Sequence, residues 1–191
     1  MPRQNGGAAG PLWRWYSVDM LSTARLLLLA TVVTVLIPAV RADEARHLRL
    51  YNTHSREHID VVYRRDNTYV GDALMQLDRF LRDSLTGDMH HFDPHLFDVL
   101  FDLTQASGRP GAEIQIICGY RTPQTNEFLR THTSGVAKKS LHMEAEAIDI
   151  RLPGVKTASL RDAALALGRG GVGYYPASDF IHVDVGRVRR W

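Results

Sequence analysis

The sequence predicts an α+β fold in which a small antiparallel sheet is flanked by helices. Short stretches in which apolar and polar residues alternate occur in several parts of the chain, and this two-residue period is typical of half-buried strands. Between them lie segments whose leucines recur every three or four residues, which is the spacing of an amphipathic helix. Helices and strands come in blocks, an order that is typical of an α+β domain.

The first 42 residues are predicted to be an N-terminal extension with a signal peptide, which leaves residues 43–191 as one domain. Residues 26–40 read LLLLATVVTVLIPAV, with Arg25 before them and small residues around a cleavage site at Val40-Arg41-Ala42. This apolar run is shorter than the roughly 20 residues of a membrane-spanning helix. An uncleaved N-terminal anchor is the alternative, and under either interpretation the domain is exported.

The first half of the domain is predicted to contain three strands and two helices. Gly87 ends the first helix, and Asp93 before Pro94 is typical of an N-cap followed by the first helical position. The predicted strands span residues 48–50, 59–63 and 114–117, and the helices span residues 72–85 and a segment that begins at residue 94.

The second half is predicted to bring two further strands together with short helices. In the first of these strands Ile148 and Ile150 lie on one side, whereas Asp149 lies on the other. The predicted elements are a short helix or turn at 123–130, a polar loop at 134–140, a strand at 146–152, a helix at 159–167, a glycine-rich turn at 168–173 and a final strand at 180–185.

The net charge and the cysteine count exclude one class of binding partner and one kind of covalent bond within the chain. The formal charge of the 191-residue chain is +2, which excludes nucleic acid as a bulk electrostatic partner. Cys118 is the single cysteine, so the chain forms no internal disulfide. Because it ends an apolar run, we interpret its side chain as a small buried hydrophobe.

Asp149 and His182 stand where burial would be costly unless something pairs with them, and His142 lies at the end of a loop. His142 precedes Asp149 by seven residues, and Asp149 lies in an apolar strand. His182 is the one imidazole in the apolar final strand, where Asp184 shares its face. Two short strands could bring these groups together, either as a buried ion pair or as a metal site. Zinc takes such nitrogen and oxygen ligands.

Several motifs of the domain together resemble the zinc D-alanyl-D-alanine peptidase family. The first is Ser140-x-His142-x-x-x-x-Ala147-x-Asp149, which is followed near the C-terminus by His182. The block GYRTP at 119–123 and the tail from GGVGYYP at 170–176 to the C-terminal tryptophan at 191 are similar to the exported murein endopeptidase K-like branch of that family. The resemblance covers nearly the whole domain.

This resemblance implies a hedgehog/D-Ala-D-Ala peptidase-like zinc fold and a set of site residues. Zn²⁺ would be held by His142, Asp149 and His182. Arg121 would bind the substrate carbonyl or carboxylate and stabilise developing negative charge, with a structural ion pair as the alternative role. The secondary polar contacts to substrate would be Gln124 and Ser140.

Two carboxylates are candidates for the general base. Asp179 stands three positions before the last predicted ligand, where relatives in the wider family carry an acidic residue. Asp184 shares the strand face of His182, and we favour it over Asp179. The family usually has glycine where this chain has Ala145, so a positive φ at that position would strain the loop between two ligands.

The activity implied by the resemblance is zinc-dependent hydrolysis of peptide cross-links in peptidoglycan, in the periplasm. The partner would be the peptide stem of peptidoglycan, and the protein would be a monomer. It would contact the membrane only through the signal peptide or anchor. One alternative is a D-alanyl-D-alanine carboxypeptidase. The other is a catalytically degenerate wall-binding protein, which Ala145 motivates.

Overall fold

The computed structural model describes residues 45–133 and 135–191, and the predicted signal peptide lies outside them. The α+β fold class is confirmed, because in this described part of the chain four helices accompany one eight-stranded sheet. None of the helices within these described ranges is long and apolar enough to cross a membrane.

Within residues 45–133 and 135–191, eight strands and four α-helices follow one another in an irregular order. The strands are β1 (Ala45–Asn52), β2 (His58–Arg65), β3 (Thr68–Tyr69), β4 (Ile114–Cys118), β5 (Ala147–Arg151), β6 (Gly171–Tyr175), β7 (Phe180–Asp184) and β8 (Arg189–Arg190). The helices are α1 (Gly71–Phe80), α2 (Pro94–Ala106), α3 (Pro123–His132) and α4 (Thr157–Leu167), with short 3₁₀ turns at Leu141–Glu144 and Pro176–Ser178.

The sheet is larger than predicted, and two of its strand pairs are parallel. Its order is β3-β2-β1-β4-β5-β7-β6-β8, with β1 parallel to β4 and β6 parallel to β8. The first parallel pair is possible because α1 and α2 lie between β1 and β4 and supply the long crossover that such a pair needs. The other neighbouring strands are antiparallel, as expected.

Apolar side chains of the central strands form one ladder against the helices. Ile150 lies between Ile116 of β4 and Ile181 of β7, and Ile148 pairs with Val183. All five are almost completely buried in the core that α2 and α4 also enter. Since side chains alternate across a strand, Asp149 and His182 lie on the opposite face of the sheet.

The two largest departures from the predicted elements occur at α1 and at the glycine-rich segment. α1 ends at Phe80, because the Leu81 carbonyl accepts the Tyr120 N–H at 2.9 Å and the Asp83 carboxylate accepts the Leu85 N–H at 2.8 Å. The predicted turn at 168–173 is wrong in its second half, where β6 begins at residue 171. Gly171 and Gly173 of this strand allow the side chains of Arg189 and Trp191 to pack closely against its backbone.

A buried carboxylate connects α2 to the first three strands. Asp98 accepts hydrogen bonds from Tyr63 Oη at 2.9 Å and Tyr69 Oη at 2.7 Å. It also accepts from Arg64 at 2.8 Å and Arg46 at 3.1 Å. Two cations and two phenols therefore surround one anion at the junction of helix and sheet.

Candidate metal centre

The pairing of β5 with β7 brings two of the predicted ligands directly opposite each other. Asp149 and His182 are register partners in this antiparallel pair. The 3₁₀ turn Leu141–Glu144 precedes β5 and carries His142 to the same place. Ser140 begins that turn, and its hydroxyl accepts the His142 N–H at 3.4 Å.

Three donor atoms form a nearly regular triangle. His142 Nε2 lies 3.2 Å from Asp149 Oδ1 and 3.1 Å from His182 Nδ1, and the third side, from His182 Nδ1 to Asp149 Oδ1, is 2.9 Å. The three residues are 2%, 5% and 7% exposed. The structure thus brings together the three residues that the sequence analysis selected.

The triangle fits a tetrahedral metal ion. Two ligand atoms of zinc, each about 2.0–2.1 Å from it, are separated by roughly 3.3 Å. The sides of the triangle, from 2.9 to 3.2 Å, come within about 0.4 Å of this separation. One carboxylate oxygen and two imidazole nitrogens are a donor set that zinc accepts, with a fourth position left for water or substrate.

The outer nitrogen of each imidazole has an acceptor that sets which nitrogen carries the proton. His142 Nδ1 donates to the Gly119 carbonyl at 2.7 Å, so its Nε2 turns a lone pair to the triangle. His182 Nε2 donates to Asp184 Oδ2 at 3.0 Å, so its Nδ1 does the same. Such partners orient metal-binding histidines in proteins.

The charge of Asp149 dominates the electrostatics of the triangle. Burial opposes ionisation of this carboxyl, but His142 and His182 outweigh it and hold the pKa of Asp149 well below its usual range. Burial also disfavours a charged His142, yet Asp149 and Cys118 raise the pKa of His142 to about 10. Asp149 therefore stays ionised, and a metal ion bound at the triangle would take the place of the proton on His142 Nε2.

Arg121 lies inside the site, in contact with one of the predicted ligands. Its NH2 donates to Asp149 Oδ2 at 2.9 Å, on the oxygen that does not face the histidines. Its Nε contacts Cys118 Sγ at 2.9 Å. Arg121 is also one of the residues that line the cavity beside the triangle. Its role in binding substrate stays a prediction, alongside the observed ion pair with Asp149.

Cys118 belongs to this site, which the sequence analysis missed. Its sulfur lies within 4.8 Å of donor atoms of His142 and Asp149, so these three residues form a second, overlapping donor group. We favour His182 as the third ligand, because its nitrogen is within 3.1 Å of both partners and the Cys118 sulfur already contacts Arg121. The apolar run before Cys118 led us to interpret its side chain as a buried hydrophobe. The residue is the last of β4, and its sulfur lies beside the donor atoms.

The two carboxylates predicted as general base lie in different surroundings. Neither Asp184 nor Asp179 is among the described residues that line the cavity, and Asp184 is 1% exposed. Asp179 ends the 3₁₀ turn before β7, where its exposed side chain pairs with Arg151 at 2.9 Å and with the Thr157 hydroxyl. Within the described residues, neither carboxylate is hydrogen-bonded to a donor atom of the triangle.

The two predicted substrate contacts also differ in position. Ser140 lines the cavity next to His142. Gln124 is exposed at the start of α3, outside the described residues that form the cavity wall. Both roles in substrate binding stay predictions.

Ala145 adopts the left-handed conformation that the sequence analysis named as the condition for strain. Its φ is 53° and its ψ is 36°. The strain of roughly 1–2 kcal/mol is partly offset by about 0.8 kcal/mol from the buried methyl group, since the residue is 0% exposed. The donor atoms of His142 and Asp149, on either side of Ala145, lie 3.2 Å apart in the triangle.

The triangle forms part of the wall of a cavity of about 700 Å³. Tyr175 and Trp191 also line the cavity and are joined by a hydrogen bond of 2.9 Å from the indole N–H to the phenol oxygen. The Trp191 ring lies 5.1 Å from the ring of His182. The cavity is large enough for a peptide segment to lie against the three donor atoms.

Comparison with known proteins identifies similar chains over nearly the full length. Residues 40–191 match the family model Peptidase_M15_2, described as Peptidoglycan L,D-endopeptidase MepK. The "Probable peptidoglycan L,D-endopeptidase MepK" of Haemophilus influenzae is 35% identical over 178 residues, which are 93% of this chain and 94% of the relative. The Escherichia coli K12 protein "Peptidoglycan L,D-endopeptidase MepK" is 37% identical over 162 residues, or 85% of this chain and 88% of the relative. No solved structure matches.

Proposed function

Because the chain belongs to the Peptidase_M15_2 family of peptidoglycan L,D-endopeptidases, we propose that it is a zinc peptidase that hydrolyses L,D-peptide cross-links of peptidoglycan. The observation that carries the proposal is the triangle of His142, Asp149 and His182 at the wall of a peptide-sized cavity. The relatives' substrate fits an enzyme that acts outside the cytoplasm, which agrees with the predicted export of this domain.

Zinc held by the three residues would polarise the scissile carbonyl and lower the pKa of water at the open position. The protein contributes the fixed arrangement of the donors, since Gly119 and Asp184 orient the two imidazoles. Arg121 keeps Asp149 in place through Oδ2, and its position at the cavity wall allows it to attract the carbonyl oxygen of the substrate as negative charge develops there.

Of the two predicted proton acceptors, we assign the role to Asp179. Its side chain is 60% exposed, and it follows Ser178 and precedes Phe180, which both line the cavity. It would have to release Arg151 to accept a proton from water near the triangle. Asp184, by contrast, is buried and fully engaged by donors.

Asp179→Asn is expected to lower kcat by about 100-fold or more, because a positioned proton acceptor contributes on that order. The zinc content should stay the same, since Asp179 contacts none of the three donor residues in the described structure. Steady-state hydrolysis and metal analysis of the same preparation measure both effects. Asp162→Asn, at an exposed aspartate of α4, is the matched control, and an Asp179→Asn enzyme with wild-type kcat would contradict the assignment.

The proposed function is tested by digesting purified muropeptide dimers with the domain from Asp43 onward. Loss of L,D-linked dimers and release of monomers are expected, together with about one zinc per chain. Release of a terminal D-alanine without loss of dimers would instead identify the carboxypeptidase alternative. Binding to peptidoglycan with neither zinc nor cleavage would identify a wall-binding protein.

A further inference from the structure

We propose that Arg189, acting through Asp184, is a positioning residue that holds His182 with Nδ1 toward the metal. This inference rests on the proposed function, because it concerns the same zinc ligands. It reassigns Asp184 from a proton acceptor to the carboxylate that orients a ligand. It also gives the C-terminal segment after β7 a role in the metal centre.

Asp184 is surrounded by donors on both of its oxygens. Oδ2 accepts from His182 Nε2 at 3.0 Å and from Arg189 NH2 at 2.7 Å. Oδ1 accepts from Gly171 N at 2.8 Å, Gly186 N at 2.9 Å and Arg189 NH1 at 3.1 Å. Five donors meet about four lone-pair sites, so this carboxylate has no free position from which to take a proton from water.

Arg189 donates two hydrogen bonds to Asp184, one from each terminal nitrogen to a different carboxylate oxygen. A forked contact of this kind fixes the plane of the carboxylate as well as its position. The plane in turn fixes where Oδ2 lies for His182. Burial of Asp184 disfavours its charge, but His182, Arg189 and the Gly171 N–H lower its pKa to about 2.

Gly171 at the start of β6 and Gly186 after β7 make room for this network. A Cβ atom on Gly171 would lie 2.4 Å from Asp184 Oδ2 and 2.4 Å from Arg189 NH1. At Gly186 a Cβ would meet Leu141 Cδ1 at 2.8 Å and Asp184 Oδ1 at 3.3 Å. The side chains of Asp184 and Arg189 thus occupy the space that ordinary residues would fill at these two positions.

The consequence for the metal is the choice of nitrogen on His182. With Nε2–H donated to Asp184, only Nδ1 can offer a lone pair to the triangle. Without the Arg189 fork, Asp184 could turn, and the His182 ring would lose the partner that holds it. Loss of such an orienting partner weakens metal binding by about 10- to 100-fold in comparable sites.

The test compares zinc affinity in three arginine variants, measured by competition with a chelator. Arg189→Met is expected to bind zinc about 10- to 100-fold more weakly, and the visible spectrum of its cobalt form should change. Arg189→Lys, which keeps the charge but not the fork, should fall between Arg189→Met and wild type. Arg187→Met is the matched control, because Arg187 is an exposed arginine of the same segment. It should bind zinc as the wild type does.

A second measurement on the zinc-loaded wild type does not depend on how the variants fold. Long-range ¹H–¹⁵N correlation spectra should show the His182 proton on Nε2. A proton on Nδ1, or wild-type zinc affinity in folded Arg189→Met, would overturn the inference. A wild-type protein that binds no zinc would instead overturn the proposed function, so the two failures are distinguishable.

Discussion

His142→Ala is expected to lose the bound zinc and to hydrolyse muropeptides at least about 1,000-fold more slowly than the wild type. The substitution removes one of three donor atoms that lie 2.9–3.2 Å apart. Lewis-acid catalysis and activation of water are worth several kcal/mol, and each 1.36 kcal/mol corresponds to a tenfold rate. His182 and Asp149 alone would leave an incomplete site for a catalytic zinc.

Metal analysis and hydrolysis of L,D-linked dimers check this expectation on the same samples. His132→Ala is the matched control, since His132 is an exposed histidine at the end of α3 and contacts none of the donor residues in the described structure. Circular dichroism shows whether the variant remains folded. If folded His142→Ala retained both zinc and activity, the donor triangle would not be the metal site.

Asp98→Asn is expected to lower the free energy of unfolding by about 3 kcal/mol, because it removes a buried anion from between two arginines. Arg64, Arg46 and the hydroxyls of Tyr63 and Tyr69 would all lose their charged acceptor. For a domain of this size the loss corresponds to a fall in Tm of roughly 6–12 °C. Thermal unfolding followed by circular dichroism measures it.

Asp162→Asn provides the comparison for the charge change alone. Asp162 is exposed and pairs with the adjacent Arg161, so its substitution should change stability by less than about 0.5 kcal/mol. Equal Tm values for the Asp98 and Asp162 variants would show that the buried network contributes little. Zinc affinity should be unaffected in both variants, because Asp98 contacts the first three strands and not β5 or β7.

The same network predicts a dependence on pH. Burial favours the neutral form of Asp98, but the hydrogen bonds from Tyr69, Tyr63 and Arg64 outweigh burial and lower its pKa. A lowered pKa in the folded state contributes stability above the unfolded value of about 3.9, and this contribution is lost as the pH falls below it. The stability difference between wild type and Asp98→Asn should therefore shrink below about pH 4.

The sequence by itself determined the elements that carry the site. Alternation around Asp149 and around His182 predicted two strands, each with a polar side chain on the face opposite its apolar residues, and both strands formed. Short-range periodicity is a reliable guide here because it depends on the side-chain period of two residues within one strand. The motif around His142 selected the third member of the cluster.

The tertiary structure alone decided which atoms meet. Asp184 shares the face of His182 as predicted, yet its carboxylate is enclosed by Arg189 and backbone N–H groups from other segments. Cys118 reached the site through the register of β4 with β5, which no local pattern encodes. The sequence predicted a turn at Gly171 and Gly173. Both lie in β6, where the absence of a side chain leaves space for Arg189 and Trp191 of the C-terminal segment.

The physical reason is the range of the interactions involved. Hydrophobic periodicity acts between neighbours in the chain, so it can be read from a sequence. The partner of a buried charge is chosen by strand pairing and close packing between distant segments, such as Arg121 with Asp149 across 28 residues. The triangle of His142, Asp149 and His182 could be predicted because two of its members stood out in apolar strands and the family motif supplied the third. The hydrogen bonds that orient it required the fold.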